Sequence, residues 1–450
     1  DAVGLGKTIE AGILLSELIR RGKGKRILVL TVKSMLTQFQ KELWSRFTIP
    51  LTRLDSVGIQ RVRSRIPTNH NPFYYFDRAI ISIDTLKQDT EYRTYLEKCY
   101  WDIIVIDEAH NVAARGNDVA SLYMRYRLAN LLKHRSDTLI MLSATPHDGK
   151  PRAFASLMNM LNPTAIASPE DYGPEDIKGL FIRRFKKDIK DQVTKSFMER
   201  KISVSKCPAS PQEEAAFDVF TRMDFTRLDQ RRTAGKLFKT TLEKSLFSSP
   251  AACLQTIHHR ITRLEKEEGN EAAHDIQLLT KLADSLQNIT VRNFSKYQKL
   301  LSVIQDPLYG FGWTGKDTRD RLVIFTERIE TLKYLSDHLP KDLGLKEDKF
   351  AILHGGLPDV DQQKIVEDFG REEAPVRLLL ASDVASEGIN LHFLCHKMIH
   401  FDIPWSFMCF QQRNGRIDRY GQEREPRIVY LMTESDSEKI KGDNRILALL

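Results

Sequence analysis

Nine short, continuous apolar runs set the terms for this 450-residue chain, because they recur in two blocks and alternate with helical periodicity. In the first block the runs are 26–32 (RILVLTV), 79–83 (AIISI), 103–107 (IIVID) and 139–143 (LIMLS). In the second they are 321–326 (RLVIFT), 350–353 (FAIL), 376–382 (VRLLLAS), 397–401 (KMIHF) and 427–432 (RIVYLM). Runs of this kind read as strands buried on both faces, which occur in parallel sheets. Helical patterns at 34–47 (with Ser34 as N-cap), 89–98, 118–134, 328–339, 358–369 and 406–418 lie among them. Strand–helix alternation of this type predicts an α/β fold with helices over a parallel sheet, twice.

The stretch between the blocks, 166–318, is different: a Pro- and Gly-containing loop followed by charged, helical sequence with few strand signals. Within 183–206, nine Lys/Arg face three Asp/Glu. Such a run is a solvated helix face or a phosphate-facing surface, with Arg183, Arg184, Lys186 and Lys187 as the candidate contacts. The expected division is therefore a first lobe over 1–165, a helical insert and linker over 166–318 and a second lobe over 319–450. No repeat of solenoid period is present.

Composition narrows the class further. Hydrophobic residues make up 41% and charged residues 28%, which excludes a mainly disordered chain, a collagen and a disulfide-stapled miniprotein. The 68 Lys+Arg against 60 Asp+Glu give a net charge of +8, which permits a nucleic-acid partner without demanding one. No apolar run is long enough for a membrane-spanning helix, so no membrane partner is expected. Cys99, Cys207, Cys253, Cys395 and Cys409 form no CxxC pair; their dispersal suits a reducing cytoplasm rather than a zinc knuckle or redox dithiol. His258 and His259 are adjacent in a helical context and lack a third ligand at metal spacing. The chain starts on Asp1 inside a motif, so it is expected to be part of something longer.

The motifs carry the chemistry. DAVGLGKTIEAG places Gly4, Leu5, Gly6, Lys7 and Thr8 as GxGKT ahead of a helix. Glycines let backbone N–H groups approach phosphate oxygens, Lys7 reaches the β- and γ-phosphates, and the Thr8 hydroxyl binds Mg2+. Asp1 stands where the first glycine of the longer GxxxxGKT pattern would be; alone, the segment also reads as a Gly-rich helix start. About 100 residues on, WDIIVIDEAHNV ends a strand in Asp107 and Glu108. That pair fits a metal–nucleotide crevice, with Asp107 in the Mg2+ shell, Glu108 orienting the attacking water and His110 coupling to the neighbouring domain. LIMLSATPHDG then puts Ser143 and Thr145 at the same sheet edge.

In the second block, ASDVASEGINL places Asp383, Glu387, Gly388 and Asn390 in a turn after a strand, Gly388 allowing close approach to a ligand. QQRNGRIDRYGQ carries Gln412, Gly415, Arg416 and Arg419, and a helix over this segment would put the two arginines on one face. Guanidinium groups suit bidentate contact with γ-phosphate oxygens as charge develops there; a salt-bridged structural helix is the bland alternative.

Taken in order, GxGKT, DEAH, SATP, HGG at 354–356, ASDVASEGINL and QQRNGRIDRYGQ resemble a superfamily 2 helicase-type motor, and RIDRYGQ resembles its Swi/Snf-type branch. The bacterial members it most resembles are an RNA-polymerase-recycling ATPase and phage-defence helicases. The resemblance implies two RecA-like lobes using ATP and Mg2+ and moving along double-stranded DNA without full strand separation. It assigns Lys7, Thr8, Asp107 and Glu108 to the nucleotide from one lobe and Arg416 and Arg419 from the other. It also assigns LTVKSMLTQF, IISIDTL, VIFTERIE and HGG to the nucleic-acid backbone. RNA polymerase or defence-complex subunits are the implied protein partners. The rival readings are a strand-separating DNA or RNA helicase, possessing nearly every motif, a non-enzymatic scaffold, and a P-loop kinase or GTPase, which would need no second lobe with paired arginines.

Overall fold

In the computed structural model the first apolar block forms one parallel sheet and the second block another, in two compact units, Asp1–Ser196 and Phe197–Leu450. The described residues are 4–88, 90–114, 120–146, 151–189, 198–225, 232–267, 272–383, 389–404, 406–437 and 440.

In the first unit, β1 (Ile27–Thr31), β2 (Thr52–Arg53), β3 (Arg78–Ser82), β4 (Trp101–Ile106) and β5 (Ser136–Met141) lie in the order β2-β3-β1-β4-β5, every pair parallel. The central β1 is buried at all five positions, as its uninterrupted ILVLT demands: a strand with helices on both faces has no polar side. Leu28 and Leu30 join one core, Ile27 and Val29 the opposite one, following the period of two along a strand. Beyond the carboxyl ends the strands stay knitted: Asp107 N donates to Leu30 O at 2.8 Å and Ala109 N to Leu142 O at 2.8 Å. Those bonds bring the loops after β1, β4 and β5 to one sheet edge, where ligands bind in open α/β sheets.

The second unit holds a six-stranded parallel sheet: β6 (Lys201–Pro208), β7 (Arg321–Thr326), β8 (Phe350–Leu353), β9 (Leu378–Ser382), β10 (Cys395–His400) and β11 (Arg427–Glu434). Their order is β6-β11-β10-β7-β9-β8. Helices Pro211–Thr221, Arg232–Ser248, Pro250–Glu267 and Ala273–Gln287 build a separate apolar cluster around Phe217, Leu242, Ile257 and Leu282. The first of these starts in a capping box, Ser210 and Glu213 each satisfying the other's backbone N–H. The helix Ser295–Gln305 then packs Tyr297, Leu300 and Ile304 into the sheet's core.

Four features depart from the sequence expectation. The stretch expected to be helical contains β6, an edge strand exposed along most of its length; KISVSKCP carries two lysines and no buried run, so it gave no strand signal. The two-residue β2 is too short to leave a pattern. Ser34 lies in the 3-10 turn Lys33–Met35 and does not cap the helix Leu36–Phe47, whose N-cap is Met35 without a side-chain bond. The helix expected over 406–418 spans only Phe407–Asn414 and ends at Gly415, so Arg416 and Arg419 do not share a helix face. Glycine at that position favours termination. Among the described residues no helix is long and apolar enough to cross a membrane.

Candidate functional site

In the first unit the site grows from a helix whose start has no side-chain cap. Gly4 and Gly6 both have left-handed backbone, at φ 84° and 85°. An L side chain at either would be strained by roughly 1–2 kcal/mol. Gly6 is the N-cap of the helix Lys7–Arg20 and no side chain caps that end, a helix start of the kind that suits an anion. Leu5, Lys7 and Thr8 are half-buried beside it. The left-handed glycines and the uncapped helix start fall at Gly4–Thr8, the residues singled out in the sequence.

Asp107 follows β4 directly and is buried at 7% exposure. Its Oδ2 accepts a hydrogen bond from Thr31 Oγ1 at 3.1 Å, a partner supplied by the end of β1. Burial, reinforced by the adjacent Glu108 charge, pushes the Asp107 carboxyl up from 3.8 to about 7, while the Lys7 ammonium pulls it back. Glu108 has φ 47° and ψ 50°, one of two non-glycine residues with positive φ among the described residues. A left-handed non-glycine residue stores strain of about 1–3 kcal/mol, and such residues cluster at functional sites. The turn aims the Glu108 carboxylate at His110, with Oε2 3.3 Å from Nδ1. That same Nδ1 is 3.3 Å from Ser143 Oγ, and Ser143 Oγ accepts from Thr145 N at 3.2 Å. The acidic pair and the Ser-Ala-Thr turn are therefore one connected cluster.

ATP and Mg2+ fit these residues. The bare helix start matches phosphate. The buried carboxylate Asp107, raised by desolvation and by the Glu108 charge, would hold a divalent cation together with Thr8. Lys7 and Glu10 also line a cavity of about 510 Å³ bounded by Leu139–Leu142 and Phe154.

In the second unit Gln412, Arg416 and Arg419 sit at and after the end of the helix Phe407–Asn414. Arg416 is buried, its Nη1 donating to Ile389 O at 3.3 Å, and Leu391 N donates to Arg416 O at 3.1 Å. Arg419 Nη1 bonds the Asn390 side chain. Residues 389–391 and the arginine turn are thus held together. Gly388 and Glu387 lie outside the described residues. Burial and the Arg419 charge push His392 down to about 4, so it stays neutral beside the arginine. His354 and Gly356 bond each other locally, Gly356 N to His354 Nδ1 at 3.2 Å. Of the basic run, Arg184 pairs with Glu10, and Arg183 and Lys187 lie over the Phe185 ring at 4.6 and 5.8 Å.

Sequence reasoning missed Thr31 and the buried Arg413. Thr31 ends a strand with a small hydroxyl, a faint signal. Arg413 stands beside Gln412 in the motif and bonds Asp383 with both Nε and Nη2, the latter at 2.8 Å.

A glycine-started helix and an acidic pair on one parallel-sheet unit, with a buried arginine turn on a second, are the features of a nucleotide-hydrolysing enzyme with two α/β lobes. Residues 1–175 match the SNF2-related domain and residues 295–421 the helicase conserved C-terminal domain. The chain belongs to the SNF2-related, helicase-type family of ATP-hydrolysing enzymes. It is 28% identical over 452 residues to the ATP-dependent helicase YqhH of Bacillus subtilis (strain 168), covering 98% of this chain and 72% of that protein. It is 24% identical over 468 residues to the RNA polymerase-associated protein RapA of Sodalis glossinidius (strain morsitans), covering 98% of this chain and 46% of that one. The chain therefore spans less than half the length of that RapA relative. The Pyrococcus furiosus Hef helicase domain has the same fold, with a TM-score of 0.50 at 16% identity, over 99% of this chain and 93% of that one.

Proposed function

We propose that this chain is the motor of an ATP-dependent translocase on double-stranded DNA, using Mg2+, that displaces or remodels DNA-bound proteins in the cytoplasm. The observation that carries the reading is the cluster at the first sheet edge. A glycine-started helix N-terminus without a side-chain cap stands with a buried Asp–Glu pair whose first carboxyl is raised to about 7 by burial and by the Glu108 charge, with Lys7 drawing it back. Mg2+, when bound, supplies the charge that neutralises the phosphate oxygens. Gly4, Leu5 and Gly6 cradle the phosphates through their backbone, Lys7 holds the β- and γ-oxygens, and Thr8 and Asp107 hold the metal. Glu108 orients and polarises the attacking water. In the second unit, Arg416 and Arg419 would offset charge that develops on a phosphoryl group, and Gln412 and Gly388 are the residues assigned to nucleotide contact.

Membership in the SNF2-related branch supports duplex tracking over strand separation, and the net charge of +8 is compatible with backbone contacts. The RapA relatives, named for association with RNA polymerase, support that enzyme as a partner. A partner from an antiviral complex has no such support. The name of the YqhH relative favours a second reading, a strand-separating helicase. The two separate in one experiment on the full chain, displacement of a triplex-forming strand set beside unwinding of a forked duplex. The translocase reading expects displacement with ATP and no unwinding; unwinding without displacement overturns it.

A further inference from the structure

We infer that a buried hydrogen-bond chain centred on Thr331 makes the junction of two insert helices a positioning element for the arginine turn. This rests on the reading of the chain as a nucleic-acid-stimulated ATPase. The junction is Ser248–Ser249, between helices Arg232–Ser248 and Pro250–Glu267, and both serines are buried. Ser249 caps the second helix: Ala252 N donates to its Oγ at 3.1 Å. Thr331 Oγ1, wholly buried in the helix after β7, lies 2.7 Å from both Ser249 Oγ and Ser248 Oγ. Ser248 Oγ donates to Asp402 Oδ2 at 2.7 Å.

A carboxylate only accepts and each hydroxyl has one proton, so the order of donors is fixed. Ala252 N–H gives to Ser249, Ser249 to Thr331, Thr331 to Ser248, and Ser248 to Asp402. Every link depends on the next, so losing one hydroxyl leaves a buried donor and a buried acceptor unmatched.

Asp402 then reaches the arginine segment. Its Oδ2 also accepts from Thr326 Oγ1 at 2.7 Å and its Oδ1 from Glu327 N at 2.8 Å, which fix the carboxylate plane. Arg413, 1% exposed, donates Nη1 to Asp402 O at 2.9 Å and places Nη2 3.6 Å from Asp402 Oδ1. The other side of that guanidinium holds Asp383, at the end of β9 just before Glu387 and Gly388. Arg413 occupies the last turn of its helix, and its carbonyl accepts from Arg416 N at 3.0 Å. Displacing the helix junction therefore pulls on Asp402, on Arg413 and on the start of the turn bearing Arg416 and Arg419. Each link lies within the second unit.

Thr331→Val keeps the shape of the side chain and deletes the hydroxyl; Thr331→Ser keeps the hydroxyl. ATP turnover of the full chain is measured with and without duplex DNA, with thermal melting as a folding control. The expected result is that Thr331→Val lowers kcat, with DNA and without it, by roughly 5-fold to about 100-fold, the cost of a sub-ångström to 1 Å misplacement of catalytic groups. Thr331→Ser restores turnover and Ser248→Ala reproduces the defect. Should Thr331→Val not fold, Ser248→Ala decides between the outcomes in the same assay. Wild-type turnover retained in both Thr331→Val and Ser248→Ala overturns the inference while leaving the ATPase reading intact. A Thr331→Ser variant as impaired as Thr331→Val overturns it too, because the hydroxyl would not be the agent. A wild-type chain that DNA does not stimulate overturns the underlying reading, and the inference with it.

Discussion

Two buried charge clusters in this chain are built on opposite principles. After β4, Asp107 and Glu108 stand side by side with Lys7 and a Thr31 hydroxyl against them, and Glu108 Oε2 has no hydrogen-bond partner among the described residues. In the second unit Arg413 has a carboxylate at each end, Asp383 and Asp402, and donates further to His400 Nδ1 at 3.2 Å. Burial holds His400 well below the ordinary histidine range, so it accepts that bond as the neutral ring. Each cluster sets two carboxylates against one cation, so the difference lies in hydrogen bonding. The first is strained at Glu108 and keeps a carboxylate oxygen without a hydrogen bond. In the second, Asp402 accepts from Ser248, Thr326 and Glu327 N, and Arg413 holds Asp383 with two donors. An unsatisfied buried carboxylate is tolerable where a ligand completes it, whereas a fully hydrogen-bonded cluster fixes a geometry. The contrast separates the proposed site from a scaffold.

The sharpest way to break this comparison is Arg413→Ala. It strands Asp383 and Asp402 in the interior and should cost roughly 3–5 kcal/mol of stability, read by denaturant unfolding. A cost below about 1 kcal/mol would make the cluster no more than a surface-type pair. Lys7→Ala, by contrast, should leave the fold intact and lower kcat/KM for ATP by roughly 10²–10³, the usual loss for one preorganised charge donor.

Asp107 gives the comparison a pH signature. Its folded-state pKa of about 7 stands above the ordinary 3.8, so the folded state holds the proton more tightly than the unfolded state. Stability contributed at this group therefore falls as pH rises from about 4 to about 7 and is flat outside that window. Asp107→Asn removes the penalty, so its Tm should exceed that of the parent above pH 7, the gain fading towards pH 4. Mg2+ needs the ionised carboxylate; its affinity should climb with pH, by roughly tenfold per unit at most, and level off above 7. Calorimetry across that range checks both, and a pH-independent Mg2+ affinity would contradict the assignment of Asp107.

The smallest effect belongs to the basic run. Reversal of Arg183 and Lys187 to Glu should reduce the salt slope of DNA binding by about 2 if both meet phosphates. Arg184 is left out of this test because it pairs with Glu10. An unchanged slope assigns the run to solvation.

The sheet strands and the loops that bear the motifs were legible in the sequence because both are local. A fully buried strand must be apolar throughout, and β7 and β8 fall on their expected bounds. Gly6, Lys7, Asp107 and Glu108 announce themselves by spacing. What stayed hidden depends on partners far along the chain. β6 is a strand because β11 pairs with it over its whole length, not because of its own pattern. Arg413 looks like one more cation in a basic motif until Asp383 and Asp402 close on it. The end of its helix at Gly415 turned on one glycine that the helical periodicity around it concealed. Thr331, Ser248 and Ser249 have no signature at all, since the Ser248–Thr331 link spans 83 residues.

The most direct test of the central claim is steady-state ATP hydrolysis by the full chain and its Glu108→Gln variant, with duplex DNA, single-stranded DNA and RNA in turn. Glu108 as the residue that orients water predicts strong stimulation of the parent by duplex DNA and loss of turnover in the variant by roughly 10²–10⁴. Near-normal turnover in Glu108→Gln, or a parent that duplex DNA leaves unstimulated, would contradict it.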